Sequence, residues 1–397
     1  MQKTKTGVNL LKEPREQVNP EPGSRTSGIV MALLLFLCIV SVAFYTYQKS
    51  LNPSSGPKDL LQIFQRAGSD VNEAEVQYRF DFDSGENPVF AVYKDYIVKC
   101  DTSGIWFMDR KGDVVWSESI VFGKPAIKIS GSRLLAADIG SGGIYVLNDK
   151  TIRWQEKLDT AILNADISED GYVTVITSSK RDNNEVRVFD PNGIELFRKI
   201  IANDFAVSAC ISPSEKTLAV SGISAGTARA YSNYKFYNKE GEELADQAFD
   251  ATGELLPIFW YNHDDSIYAV GDSASASIDK TGKLVWEKQF KRVAGASPAG
   301  NAYLAAAVED DAGAQLKIFD KAGKEISSCS LQGKPEGLNA IKGAIAVNTY
   351  DTVYFYNEKC KSTGKYSAAS HVRQVRFLTR QQAVIICDGS IIVVNIV

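Results

Sequence analysis

The chain has 397 residues, 44% hydrophobic and 23% charged, which is enough apolar content for a large core and excludes global disorder. A formal net charge of −4 and only two histidines exclude a clustered-cation nucleic-acid binder and a metal site built from several imidazoles. Six cysteines without CxxC spacing give neither a disulfide framework nor a thiolate metal motif.

Residues 1–27 place Pro14, Pro20 and Pro22 among charges without apolar periodicity, which predicts a disordered cytoplasmic tail. Gly28 to Tyr47 then runs uncharged and apolar, the length of one transmembrane helix. Tyr45 and Tyr47 stand at its end, where interfacial aromatics belong. Lys3, Lys5, Lys12, Arg15 and Arg25 precede the span, and Lys49, Lys58 and Arg66 follow it. That excess predicts the N-terminus inside and the rest of a single-pass chain outside the cytoplasm, at the cell membrane. A leader cleaved after Ser41, Val42 and Ala43 is the competing reading, but its 27-residue start is long and no polar stretch precedes the site. Residues 48–74 read as a turn-rich linker followed by a short amphipathic helix over Asp59 to Ala67, with Leu60, Leu61, Ile63 and Phe64 on one side.

From Glu75 to Val397 the pattern is strands. Eight times a short apolar strand ends in Asp or Asn: Asp109, Asn148, Asp190, Asn238, Asp279, Asp320, Asn357 and Asn395. In five copies Gly follows three residues later, at Gly112, Gly193, Gly241, Gly282 and Gly323. A carboxylate or amide accepting backbone N–H groups, followed by a glycine free to take positive φ, makes a tight hairpin turn. Successive spacings of 37 to 48 residues match one four-stranded blade. The fold class is therefore all-β, an eight-bladed β-propeller of four-stranded antiparallel blades, with seven blades the alternative. The last repeat stops one strand short and the extra segment Glu75 to Phe82 precedes the first. Joining them closes the ring and removes a sheet edge.

Trp116, Phe197 and Trp286 stand seven residues after the turn Asp, and Trp154 six after Asn148. Rings there are expected to fill gaps between blades. The segments 104–119 (GIWFMDRKGDVVWSES) and 275–288 (SASIDKTGKLVWEK) resemble quinoprotein-type propeller repeats. The turns ISPSEK and SPAGN are similar to those of WD40-like propellers, and the layout resembles single-pass, membrane-anchored bacterial propeller proteins. The resemblance implies a scaffold at the cell envelope. Catalytic quinoproteins carry a Cys-Cys pair and calcium ligands, and this sequence has no Cys-Cys dipeptide.

No catalytic, cofactor or metal constellation emerges, so the expected function is protein binding or cell-wall glycan binding without catalysis. A quinone-dependent dehydrogenase or a carbohydrate-active propeller is the alternative. Variable connections between second and third strands mark the expected partner site: Arg181, Asn183 and Asn184 in the third blade, and Arg229, Tyr231 and Tyr234 in the fourth. Asp310 and Asp311 add a carboxylate pair in the sixth. Tyr231 and Tyr234 also fit a core role in the strand YSNYKFYN. Asn262, His263, Asp264 and Asp265 read as a solvated turn. Cys100 and Cys387 sit in apolar strands as buried thiols, and Cys329 with Cys360 is one candidate bridge between neighbouring blades.

Overall fold

The computed structural model describes residues 72–85, 87–178, 184–225, 229–249, 252–300 and 303–396. The predicted tail, the apolar span and the helix over Asp59 to Ala67 lie outside them. Among the described residues, no helix is long and apolar enough to cross a membrane.

At six of its eight positions the recurrent Asp or Asn organises the hairpin as its chemistry requires. Asp190 Oδ1 accepts from the N–H groups of Asn192 and Ile194, both at 2.8 Å. Asp320 Oδ1 accepts from Ala322 and Lys324, both at 2.9 Å. Asp109, Asn238, Asp279 and Asn357 each serve the same two positions. One side-chain oxygen thus satisfies two turn donors that no strand could reach. Asn395 departs from the series: it ends the last strand, and its Oδ1 accepts from Gln382 Nε2 at 2.9 Å.

These hairpins build eight four-stranded sheets. Seven blades are consecutive in sequence, spanning residues 89–119, 125–157, 162–201, 204–248, 258–289, 292–330 and 337–367. The eighth takes three strands from residues 372–395 and its outer strand from Glu75–Asp81, which pairs antiparallel with Ser390–Asn395. Eight blades and closure by both ends of the strand region are therefore what the structure shows. Inner strands contact one another at seven of the eight blade junctions, including that of the first blade with the eighth. Second strands are buried along nearly their whole length, as in Arg133–Asp138 and Ala344–Asn348.

Consecutive blades are joined by a repeated contact. A Cβ built on Gly193 would lie 2.8 Å from the Trp154 ring of the preceding blade, and one on Gly323 would lie 2.5 Å from Trp286. Gly241 rests against Phe197 in the same way, and Gly112 against Phe80 of the closing strand. Of the expected gap-filling rings, Trp116 packs between blades one and two, where the turn has no glycine, whereas Trp154, Phe197 and Trp286 lie against the turn glycine of the next blade. Glycine is needed there twice over, for its positive φ and for the absent side chain.

The turn face carries polar ties as well. Lys321 in a sixth-blade turn reaches Asp264 in a fifth-blade turn. Burial opposes ionisation of Asp264, but hydrogen bonds from Lys321 and Ser266 overcome it and hold its pKa at about 2. A folded-state pKa below the unfolded value of roughly 3.9 contributes stability above that value, and the contribution is lost as pH falls toward 2. The carboxylate is about half exposed, so the pair contributes under about 1 kcal/mol. Lys321→Ala should lower the melting temperature slightly at pH 6. The difference from the parent chain should shrink below pH 4 and in high salt.

Candidate functional site

Two faces follow from the topology. One carries the short turns. The other, the loop face, carries the connections between second and third strands and those between blades.

The fourth blade differs from the sequence reading. Its connection between second and third strands is less a loop than a longer hairpin: Leu218–Ala225 pairs with Ala230–Tyr237 out to Ala225 opposite Ala230. The extension has a polar interior. Asp204, whose side chain is 4% exposed, meets Lys235 Nζ at 3.0 Å and Asn233 Nδ2 at 3.4 Å and accepts from Ser224 Oγ. A buried carboxylate held by three partners is a structural anchor for the hairpin.

The predicted partner residues therefore separate. Tyr234 is fully buried and donates its hydroxyl to the Leu256 carbonyl, so it belongs to the joint between blades four and five. Asn184 is buried too, and its Oδ1 accepts from Ala206 N–H at 3.0 Å. Both point inward because the strand alternation puts them on the packed side. Arg229 is exposed against Gly253, and Tyr231 is half-buried. Arg181 and Asn183 lie outside the described residues. Asp310 Oδ1 accepts from Ala312 N–H at 2.8 Å, and Lys317 approaches its other oxygen at 3.0 Å. Asp311 pairs with Lys291. The two carboxylates are thus rim ion pairs at a hairpin tip.

Sequence reasoning missed an apolar collar on the loop face, where the inner strands of blades three to five begin. Phe205 is 58% exposed and Ile258 53%, with Leu163 and Leu255 also exposed. Their inner strands touch in series, Ile162–Ile167 with Asp204–Ile211 and that with Ile258–Tyr261. Arg229 and Tyr231 stand in the fourth-blade hairpin on the same face. An exposed apolar surface rimmed by Arg and Tyr has the make-up of a contact surface for another protein.

Deeper along the axis the inner strands present polar groups at one level, where others carry core residues. Lys128 Nζ lies 3.7 Å from Asp166 Oδ2. Burial raises the Asp166 pKa, with Lys128 opposing the shift. The Asp166 side chain nevertheless keeps 31% of its surface accessible: it is ringed by protein atoms yet reached by water, as a group facing a narrow axis would be. Asn339 and Arg376 sit at the matching register on blades seven and eight, and desolvation lowers the Arg376 pKa.

A second loop-face cluster lies at blades six to eight. Tyr350, 62% exposed, stacks on His371 at 4.6 Å. His371 Nε2 meets Glu336 at 2.9 Å, and Arg373 pairs with Asp388. No set of three or more His, Cys, Asp and Glu suited to a metal ion occurs among the described residues.

Comparison with known proteins bears on this geometry. The model of a family described as "Family of unknown function (DUF5711)" matches residues 68–396. A comparison with curated proteins gave no match. Among solved structures the chain is similar to BamB from Moraxella catarrhalis, at 14% identity over 81% of this chain and 99% of that one, with a TM-score of 0.52. It is similar to the C-terminal WD40 domain of Sif2, at 8% identity over 83% of this chain and 100% of that one, with a TM-score of 0.59. At such identities the likeness is one of fold, and the WD40-like architecture is what it shows.

Proposed function

Since the chain belongs to the DUF5711 family, whose description assigns no activity, we propose from its own surface that it is a non-catalytic protein-interaction module of the cell envelope. Gly28–Tyr47 anchors it in the membrane and the propeller stands outside the cytoplasm. The observation that carries the binding role is the apolar collar of Leu163, Phe205, Leu255 and Ile258 on the loop face. Fully burying one such side chain contributes about 1.5–3 kcal/mol, so a partner that covers Phe205 and Ile258 gains enough for specific association. The rigid ring beneath keeps the ordering cost of binding low.

A double charge substitution, Phe205→Glu with Ile258→Glu, tests this in the native membrane. Both side chains are more than half exposed, so the fold should survive, and recovery of cross-linked partner proteins should fall at least tenfold. Recovery equal to that of the parent chain would sink the proposal. Tyr350 favours a second reading, a cell-wall glycan, because its ring is 62% exposed on that face. Tyr350→Ala should abolish sedimentation with purified cell wall if the glycan reading holds, and leave partner recovery intact if the collar is the site.

A further inference from the structure

The joint between blades six and seven departs from the ring-and-glycine arrangement. Where four turns have a glycine against which the outer strand of the preceding blade sets a ring, the seventh blade has Cys360, in the left-handed conformation at φ 55°. A non-glycine residue there carries a steric cost that the glycines avoid. The matching aromatic is missing as well. In its place the outer strand of the sixth blade, Glu325–Ser330, offers Ser327 and Cys329. Cys329 is directly opposite Leu316 in the sheet, and Cys360 Sγ approaches the Leu316 carbonyl oxygen at 4.0 Å. The two thiols lie within hydrogen-bonding reach of each other and share one apolar cluster. Cys100 and Cys387 are fully buried in other clusters, whereas Cys360 keeps 9% of its surface accessible and Cys329 is half-buried.

We propose that Cys329 and Cys360 are a redox site that closes as a disulfide clasp between blades six and seven, in place of the ring-and-glycine joint used elsewhere. The oxidant is a disulfide of the surroundings, either a small molecule or a protein. The Cys360 thiolate attacks it, forming a mixed disulfide and releasing one thiolate that takes up a proton. Cys329 then loses its proton and attacks Cys360 Sγ, forming the Cys329–Cys360 bond and releasing the second thiol. Two protein thiols are oxidised and one external disulfide is reduced to two thiols. Local electrostatics suit that order. Hydrogen bonding from Cys329, helped by Ser327 and opposed by burial, brings the Cys360 thiol down to about 7, while the hydrogen bond to Cys360 and burial hold the Cys329 thiol high. Once Cys360 is capped, that restraint on Cys329 is gone.

The full chain has six cysteines, and oxidised glutathione is the probe. After exposure and denaturing alkylation, the expected result is two fewer free thiols and a linked peptide joining Cys329 to Cys360. Cys329→Ser should instead trap one glutathione on Cys360. Cys360→Gly, which restores the turn residue of the other blades and so keeps the fold, should retain all five remaining thiols. The oxidised parent chain should melt roughly 5 °C higher than the reduced one. Six free thiols after exposure, a bridge that uses a different cysteine, or glutathione that stays on Cys360 of the parent chain would each overturn the proposal.

Discussion

A chain beginning at Asn72 should fold into a cooperative, monomeric domain, whereas one beginning at Asp83 should aggregate. The second lacks Glu75–Asp81, the outer strand of the eighth blade, which pairs along Ser390–Asn395. Its loss leaves that strand as an open edge, with Val393 and Val394 no longer shielded. It also removes Phe80, whose ring lies beneath Gly112 and ties the eighth blade to the first. A ring opened at one joint exposes apolar surface on both sides of the gap, and an exposed, flat strand edge templates association. Light scattering and size-exclusion chromatography of the two truncations report the difference directly. Equal solubility and equal melting behaviour would show that closure contributes little.

Trp286→Ala should be the most damaging single substitution at a blade joint, at about 3–5 kcal/mol. Trp286 is 9% exposed, with Tyr268 of its own blade at 6.2 Å and Phe319 of the next at 6.0 Å. Its indole Nε1 donates to the Lys321 carbonyl at 3.0 Å. Truncation removes packing across two blades and leaves the carbonyl without that donor. Gly323→Ala should cost about 1–3 kcal/mol through the other partner, since its Cβ would meet the indole at 2.5 Å and φ is +78°. In the Trp286→Ala background most of the steric part of that cost should vanish, leaving the backbone strain. A double-mutant cycle in urea therefore predicts a coupling energy well above zero. Strict additivity would mean that ring and glycine do not act as one joint.

The architecture is legible because it is written in local chemistry. An Asp or Asn that serves two turn donors and a glycine that supplies positive φ are needed wherever the hairpin forms, so both recur along the chain. The closing strand was visible for the same reason, as an apolar segment before the first turn matched by a missing one after the last. The partner surface is different in kind. Tyr234 and Tyr231 stand three residues apart in one strand, and only the assembled blades show that one is fully buried and the other half-buried. Phe205 and Ile258 belong to strands with ordinary apolar composition. Their exposure comes from standing where inner strands begin on the loop face, which depends on neighbouring blades rather than on neighbouring residues. The fourth-blade hairpin is hidden in the same way, because its Ser and Asn residues resemble a loop until Asp204, contributed by the start of the blade, satisfies them.

The interaction role is tested most directly by site-specific photo-crosslinking of the full chain in its own membrane. The reactive group is placed at position 205 on the loop face and, in a parallel chain, at position 239 on the turn face. A discrete protein adduct from position 205 and none from position 239 is the predicted result. Adducts from position 239 alone, or none from position 205, would contradict it.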